Sequence, residues 1–327
     1  RFEDLTMVDA VRNAVNELPL PQLYAELSKT GLVTRLLELA RDEDLGIGGQ
    51  PGDLTCKVTL EETQTLETKI ASRAELVVCG MATIPEAVKV FAPNVTVEVK
   101  TADGTLVPKG TTLAILRGPS NEMLQLERPV LNLVGRLSGI ATGTRVFNDA
   151  MLLAAGPDCK TKLLDTRKTT PGLRVLEKYA VRCGGGYCHR LGLSDAVLIK
   201  DNHLAGLDPA GVADLVAKAA KRAADIRASG TPIKFFEVEV DTKEQLAALL
   251  SLPDGTIDFI LCDNFGPEAL AEAVKMRDDS GKKVLLEASG GVNLETIGAL
   301  AKTGVDRISV GGLTHQAVSI DVGLDAC

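Results

Sequence analysis

The sequence predicts an α/β protein whose C-terminal half is a parallel β/α unit of barrel type, preceded by a smaller α+β unit. Beyond residue 160, six short apolar runs, KLLD, DAVLIK, IKFFEVEV, IDFILCD, KVLLEAS and DRISVGG, alternate with helical segments such as PAGVADLVAKAAKRAADIRASG and NLETIGALAKTG. That alternation is the signature of parallel β/α folds. The runs are almost continuously apolar, as expected of strands buried on both faces, and each ends in polar residues or glycine: DTRK, KDNH, EVEVD, LCDN, EASGG and SVGG. A doubly wound open sheet calls for a glycine-rich turn after its first strand, and DTRKTTPG is not one. In a β/α barrel the chemistry collects at the carboxyl ends of the strands, and the loops after the last strands commonly hold a phosphate.

The preceding elements follow in order. Residues 1–45 read as helices, because the apolar positions of VTRLLELARDEDLG fall at helical spacing and the segment stops at Gly46. A loop rich in Gly and Pro comes next. From Thr68 to about Arg117 the pattern changes to the β-rich runs ELVVCG, VTVEVK and TLAILRG, with ADGT and VPKG as turns. Residues 122–148 form a long apolar helical stretch leading to the barrel half.

Composition narrows the function. The chain has 327 residues, 45% of them hydrophobic, enough to bury a substantial core. A net charge of -8, 3% aromatic residues and no Trp argue against a nucleic-acid partner. No apolar run approaches the roughly 18 residues of a membrane span, and the acids in RFEDLTMVDAVRNAVNELP are unlike a secretory signal. Seven cysteines with no CxxC pair fit neither a disulfide scaffold nor a zinc site, so a reducing, cytoplasmic setting is expected. Cys183 and Cys188, flanking GGGY, read as small packing residues.

Charge locates the candidate site. Residues 160–203 hold nine Lys or Arg against four acids, a local +5 in a chain of net -8. Lys178 and Arg182 read as cations on a solvated helix face. Arg167, Lys168, Arg190 and Lys200 fall at strand ends or in a glycine-rich loop, where they make a pocket for a polyanion. Opposite them stand Glu237, Glu239 and Asp263. Glu237 and Glu239 are two apart on one strand and share a face, and burying both is costly unless a metal, hydroxyl or Lys pairs with them. Either they form a salt bridge to a barrel Lys, or Glu239 and Asp263 hold ribose hydroxyls or the hydration shell of a magnesium ion. SGG at 289–291 and VGG at 310–312 end the last two runs, where backbone N–H groups can cradle a phosphate. Of His189, His203 and His315, no two share an element at metal-ligand spacing. Only His189, beside Arg190, reads as functional.

The segments ERPVLNLVGRLSGIATGT, LDTRKTTPGLRVLEKYAVRCGGGYCHRLGLSDAVLIKDNH, EVEV, LCDN, EASGGV and DRISVGGLTHQA resemble the quinolinate phosphoribosyltransferase family over about residues 38–325. The resemblance implies an N-terminal α/β sandwich over 1–140, joined by the C-terminal tail at about 316–327, and an incomplete β/α barrel of about seven parallel strands over 141–315. It implies that quinolinate and phosphoribosyl pyrophosphate, with Mg2+, become nicotinate mononucleotide, pyrophosphate and carbon dioxide in de novo NAD biosynthesis. Carried over residue by residue, it places Arg128, Thr166, Arg167, Lys168, His189 and Arg190 on quinolinate and has Lys200 shared with the phosphoribosyl donor. Glu239 and Asp263 fall on the ribose and, through water, the magnesium. Ser289, Gly290, Gly291, Gly311 and Gly312 match the 5′-phosphate loops, with His315 nearby, and Lys168, Lys200, Glu239 and Asp263 are the catalytic set. The counterpart of Arg128 enters from a partner subunit, which implies a homodimer with shared sites, open to higher assembly.

This chain departs from the family in three places: Cys188 stands where the family usually has Asn, DLGIGGQPGDLT is longer, and about thirty N-terminal residues are additional. None removes a charged ligand. Rival readings are a paralogue of the same fold associated with molybdenum transport, a noncatalytic anion-binding protein, and a barrel-type Schiff-base lyase. The lyase would want Lys168 or Lys200 at depressed pKa in an apolar pocket.

Overall fold

The computed structural model describes residues 15–61 and 63–327. Contacts divide them into two units, one of Val15–Arg145, Thr169–Gly185 and Leu313–Cys327, the other of Val146–Lys168 and Gly186–Gly312. The first unit opens with helices α1 (Leu20–Ser28) and α2 (Leu32–Leu45); the helical reading of residues 1–14 lies outside the described residues. Helix α2 stops at Gly46, as its sequence predicts. The glycine sits at φ +90°, and a Cβ there would fall 2.0 Å from the Gln50 carbonyl oxygen. Helix α3 (Leu54–Thr59) is capped by the Asp53 carboxylate, which accepts the Thr55 and Cys56 N–H groups.

Strands β1 (Thr65–Ser72), β2 (Leu76–Val77), β3 (Thr96–Val99), β4 (Leu106–Val107) and β5 (Thr112–Pro119) follow, with helix α4 (Ile84–Phe91) between β2 and β3. Of ELVVCG only two residues form a strand, paired with β4. Strand β1, which the sequence reading passes over, is central and pairs antiparallel with β5. Helix α5 (Ser120–Ala155) is longer than the stretch 122–148 predicted for it.

Helix α6 (Arg174–Cys183) corrects the reading of Lys178 and Arg182 as solvated cations. It lies against α1 and α2, and all residues from Leu176 to Val181 are buried, Lys178 included. Arg182 turns to donate to the carbonyls of Val15 and Leu18. The covered stretch leaves Lys178 no route to water, while Arg182 stays partly exposed.

The second unit carries the six predicted parallel strands: β6 (Lys162–Leu164), β7 (Val197–Ile199), β8 (Phe236–Val240), β9 (Phe259–Asp263), β10 (Leu285–Ser289) and β11 (Arg307–Ser309). Their order in the sheet is β6-β11-β10-β9-β8-β7, so the first strand lies beside the last. Tyr187 adds a single parallel bridge to Leu164 on the other side of β6, exchanging hydrogen bonds with Leu163 and Asp165. Connecting helices include α7 (Asp201–Leu204), α8 (Pro209–Ala228), α9 (Lys243–Leu250), α10 (Pro267–Ser280) and α11 (Ile297–Ala301).

Register sorts the side chains. Paired residues of parallel strands point to the same face and alternate along each strand. Leu198 pairs with Glu237 and Phe259 with Glu237; Leu261 pairs with both Glu239 and Glu287, Ser289 with Asp263, and Arg307 with Glu287 and Lys162. One face of the sheet therefore gathers Glu237, Glu239, Asp263, Glu287, Ser289 and Arg307. The other gathers Phe236, Val238, Val240, Ile260, Cys262, Leu286, Ala288, Ile308 and Leu163, all buried. The prediction of strands apolar on both faces is thus corrected: β8 is buried throughout, yet one of its faces is acidic.

Helix α12 (Gly312–His315) and strand β12 (Val322–Ala326) close the chain, β12 pairing antiparallel with β1 in the first unit. The GRLSGIATG segment of α5 makes this return fit. Gly135 and Gly139, one turn apart, lie under the chain at 318–320: a Cβ on Gly139 would stand 2.0 Å from the Val318 carbonyl oxygen and one on Gly135 2.7 Å from that of Ile320. On the same helix Ser138 bonds both N–H and C=O of Cys79, and Thr142 accepts the Val77 N–H, so the short β2 strand is satisfied by side chains. Gly139→Ala should therefore force backbone apart rather than fill space, lowering stability by about 1–3 kcal/mol. Thermal unfolding checks this; an unchanged melting temperature would contradict the close approach.

Candidate active site

The candidate residues collect where the register puts them, at the carboxyl ends of the parallel strands. Strand β6 ends in Leu164 and runs into Asp165, Thr166, Arg167 and Lys168. Asp165 is fully buried and accepts the His189 main-chain N–H at 2.8 Å. The Thr166 hydroxyl accepts the Lys168 N–H at 3.0 Å, bending the chain so that Arg167 and Lys168 leave the strand end as a turn. Arg190 is buried, and its guanidinium pKa is lowered first by that burial and next by Arg167. Two guanidiniums held near one another in a desolvated setting are relieved by an anion with two acceptor groups.

A second pole is mixed. Lys200 Nζ donates to Glu239 Oε2 at 2.6 Å, so the salt bridge the sequence reading allowed for is present. Its lysine is Lys200, which that reading also put on the donor. Asp263 is pushed above the usual carboxylate range by burial, then by Glu239 and Asp241, with Lys200 and Lys168 pulling the other way. Carboxylates crowded beside two lysines can take hydroxyl groups or a hydrated cation.

Asn264 explains the shape of this pole, and the sequence reading missed it. It is the one non-glycine residue at positive φ among those described, at +57°, a conformation Asn tolerates. Its side-chain amide donates to Asp263 Oδ2 at 2.7 Å and its N–H to the Ser289 carbonyl at 2.8 Å. Gly290 follows, at φ +91°, with space for a Cβ taken by the Asn264 side chain at 2.2 Å. Gly290 is thus required by its neighbour. Gly291, also at positive φ, has nothing within 4 Å of its Cβ position. Gly311 and Gly312 follow β11.

Beneath these loops lies a buried charge cluster that the sequence reading saw only in part. Glu237 and Glu287 are fully buried. His189 Nε2 lies 2.9 Å from Glu237 Oε2 and 3.4 Å from Glu287 Oε1, and Arg307 Nε lies 2.7 Å from Glu287 Oε2. The Arg307 guanidinium covers the Phe259 ring at 3.8 Å from its centroid. Burial acts to lower the His189 pKa, but Glu287 and Glu237 outweigh it and pull it up to about 9. A second ring proton would, however, displace the Arg190 N–H from Nδ1, where it donates at 2.7 Å. The Glu237 carboxyl beside the ring is pushed up by burial and by Glu287. Burial also works against ionised Glu287, but Arg307 and His189 prevail and hold it down at about 2.

Other positions are placed without joining this group. Arg128 and His315 belong to the first unit, both exposed, with Arg128 3.7 Å from Glu127. His203 accepts the Lys200 N–H at the start of α7. Cys183 and Cys188 are buried, as expected of packing residues, and none of the seven cysteines is in a disulfide. Arg136, also missed, donates to buried Glu177 and to the carbonyls of Thr314 and Ala317, while Glu177 accepts from Thr170. It ties the segments that follow DTRK and VGG together within the first unit. Among the described residues no helix is long and apolar enough to cross a membrane.

Glu287 gives a pH prediction. Its folded pKa of about 2 lies below the ordinary 4.5, so its ionised form stabilises the fold above pH 4.5 and that contribution is lost as pH falls towards 2, by up to about 1.4 kcal/mol per pH unit. Glu287→Gln should destabilise the protein near neutrality, by roughly 3–5 kcal/mol because Arg307 is left buried without its partner. The gap to the unsubstituted protein should narrow as pH drops below 4.5. Denaturant titrations at several pH values decide; a gap that stays constant would contradict the pairing.

Comparison with known proteins agrees with this layout. The family model described as Quinolinate phosphoribosyl transferase, C-terminal domain, matches residues 140–325, and the model for the N-terminal domain matches residues 53–138. The chain is 40% identical over 283 residues to a probable carboxylating nicotinate-nucleotide pyrophosphorylase of Bacillus subtilis, covering 86% of this chain and 89% of that one. It is 45% identical over 223 residues to the carboxylating nicotinate-nucleotide pyrophosphorylase of Mycobacterium leprae, covering 68% and 72%. The solved nicotinate-nucleotide pyrophosphorylase of Francisella tularensis superposes with a TM-score of 0.79 at 35% identity, covering 96% of this chain and 99% of that one.

Proposed function

The chain belongs to the quinolinate phosphoribosyltransferase family, and from that membership we propose how its residues divide the reaction. It is a decarboxylating phosphoribosyltransferase that forms nicotinate mononucleotide, pyrophosphate and carbon dioxide from quinolinate and phosphoribosyl pyrophosphate, in de novo NAD biosynthesis. The observation that carries the division is the contrast between the two poles. Burial, and next the neighbouring Arg167 guanidinium, lower the pKa of Arg190, whereas Lys200, Glu239 and Asp263 form a mixed, partly open group.

On this reading Arg167 and Arg190 grip the two carboxylates of quinolinate, with Lys168 and Lys200 closing the pocket. Thr166 shapes the turn. Glu239 and Asp263 face the ribose. Ser289, Gly290, Gly291, Gly311 and Gly312 take the 5′-phosphate through main-chain N–H groups, with His315 near them. The nitrogen of quinolinate forms a bond to the anomeric carbon as the bond to pyrophosphate breaks, and the carboxylates offset the positive charge that grows on the ribose. The pyridine nitrogen is then cationic. Its charge stabilises the electron pair that stays on C2 when that carbon's bond to the carboxylate breaks and carbon dioxide departs, and a proton then bonds to that pair.

Two oxygen donors in a like-charge crowd, Glu239 and Asp263, fit Mg2+, which binds by few carboxylates and keeps its waters. When bound it neutralises charge on the departing pyrophosphate. The sheet order, with β6 beside β11 and Tyr187 beyond β6, supports an incomplete barrel of seven strand positions. The matched domains and the exposure of Arg128 support a homodimer in which that arginine reaches the partner's site, and seven cysteines outside any disulfide support a cytoplasmic setting. Lys168 is exposed and Lys200 is ion-paired, which offers nothing to the Schiff-base reading.

Two substitutions separate the poles. Arg190→Lys keeps the charge but loses the planar fork, and should weaken quinolinate binding at least tenfold, about 1.4 kcal/mol, with donor binding nearly unchanged. Glu239→Gln should lower turnover and donor binding and spare quinolinate binding. Calorimetry with each substrate alone reads both; the reverse pattern would place the residues on the wrong substrates.

A further inference from the structure

We propose that His189 acts through Arg190 rather than on the substrate: the buried set Glu237, Glu287 and Arg307 locks the imidazole, and the imidazole sets the main chain from which Arg190 projects. The inference rests on the reading of Arg190 as a quinolinate ligand. An imidazole has two polar atoms, and both are engaged inside the protein. Nε2 faces Glu237 and Glu287, and Nδ1 accepts the Arg190 N–H. The residue's own N–H goes to Asp165 Oδ1, and its ring stands edge-on to Phe235 with centroids 5.3 Å apart. Only 5% of His189 is exposed. A substrate carboxylate could gain this side chain only by displacing one of these partners.

The lock continues on both sides. Arg307 is paired with Glu287 at 2.7 Å and stacked on Phe259, which itself meets Phe235 edge-on. Arg190 is followed by a loop that Asp195 holds, accepting the N–H groups of Leu191 and Gly192 at 2.7 and 2.9 Å, while Arg190 Nη1 reaches the Ala196 carbonyl at 3.4 Å. Residues of β8, β10 and β11 are thereby connected to one guanidinium. Glu237, Glu287 and Arg307 are positioning residues on this account, as is His189.

A double-mutant cycle on quinolinate affinity tests it, using the full-length enzyme and calorimetry. His189→Gln should weaken quinolinate binding about tenfold, Arg190→Ala should weaken it at least as much, and the double variant should bind within about twofold of Arg190→Ala, since a residue that works through another adds nothing once that other is gone. Affinity for phosphoribosyl pyrophosphate should stay within about twofold throughout, which a general loss of structure would not allow. If the tenfold loss recurs in the double variant, His189 touches quinolinate itself and the proposal fails. If Arg190→Ala binds quinolinate as tightly as the unsubstituted enzyme, the reading of Arg190 falls first and the proposal with it. Glu287→Gln, run through the same cycle with Arg190→Ala, gives the same two outcomes should His189→Gln not fold.

Discussion

Two carboxylates set into the face of a parallel sheet, away from water, have to be neutralised where they stand. Glu237 and Glu287 are that constraint here. Leaving either ion unpaired in such a setting costs several kcal/mol, so the fold must bring a partner to each, and it does so from opposite directions in the sequence. Arg307 arrives from the neighbouring strand in direct register with Glu287. His189 arrives from the loop after Tyr187. Fixing His189 fixes the start of the loop that carries Arg190, and the bridge from Tyr187 to Leu164 fixes its other neighbour, the turn that carries Arg167 and Lys168. The proposed anion pocket is therefore built on a layer of paired charge rather than on an apolar floor.

The same alternation separates chemistry from packing. Every second residue of β8 to β11 is apolar and buried, and the opposite face carries all the charged residues of these strands together with Phe259, Leu261 and Leu285. Along that face burial falls towards the carboxyl ends: Glu237 is fully enclosed, Glu239 nearly so, and Asp263 and Ser289 are partly open. Paired charge lies deep and the charge proposed to meet substrate lies at the rim. One two-residue period, read along four strands, thus supplies both the lock and the site, which is economical because a register slip would exchange the two faces completely.

Much of this was legible in the sequence, and the gaps have physical causes. The six strands are legible because each is an apolar run closed by polar residues; Arg167, Lys168, Lys200 and Asp263 are legible because they close or follow those runs, Glu239 as an acid inside one, and Arg190 as a cation in a glycine-rich loop. The sequence shows that Glu237 needs a partner and points to a metal, a hydroxyl or a lysine, whereas the structure supplies a histidine. A histidine 48 positions earlier comes within reach only once the sheet has formed. Glu287 was hidden for a similar reason, since a single acid in KVLLEAS looks like a strand end until Arg307 is seen beside it. Strand β1 and the one-residue bridge at Tyr187 owe their place to pairing across the chain, not to local pattern. Lys178 was misread because helix α6 is covered along its length, a property of its neighbours. Gly135, Gly139 and Gly290 were legible as residues, but what each makes room for became clear only with the approaching carbonyls and Asn264 in place.

On the proposed chemistry, one pocket joins phosphoribosyl transfer to the loss of a carboxylate, the ring nitrogen becoming cationic before carbon dioxide departs. Release of labelled carbon dioxide from quinolinate labelled in the carboxylate at C2 tests it most directly, measured with and without phosphoribosyl pyrophosphate in the presence of Mg2+. Release should depend wholly on the donor and match nicotinate mononucleotide and pyrophosphate one for one. Release without the donor, or transfer of the phosphoribosyl group with the label retained, would contradict the account.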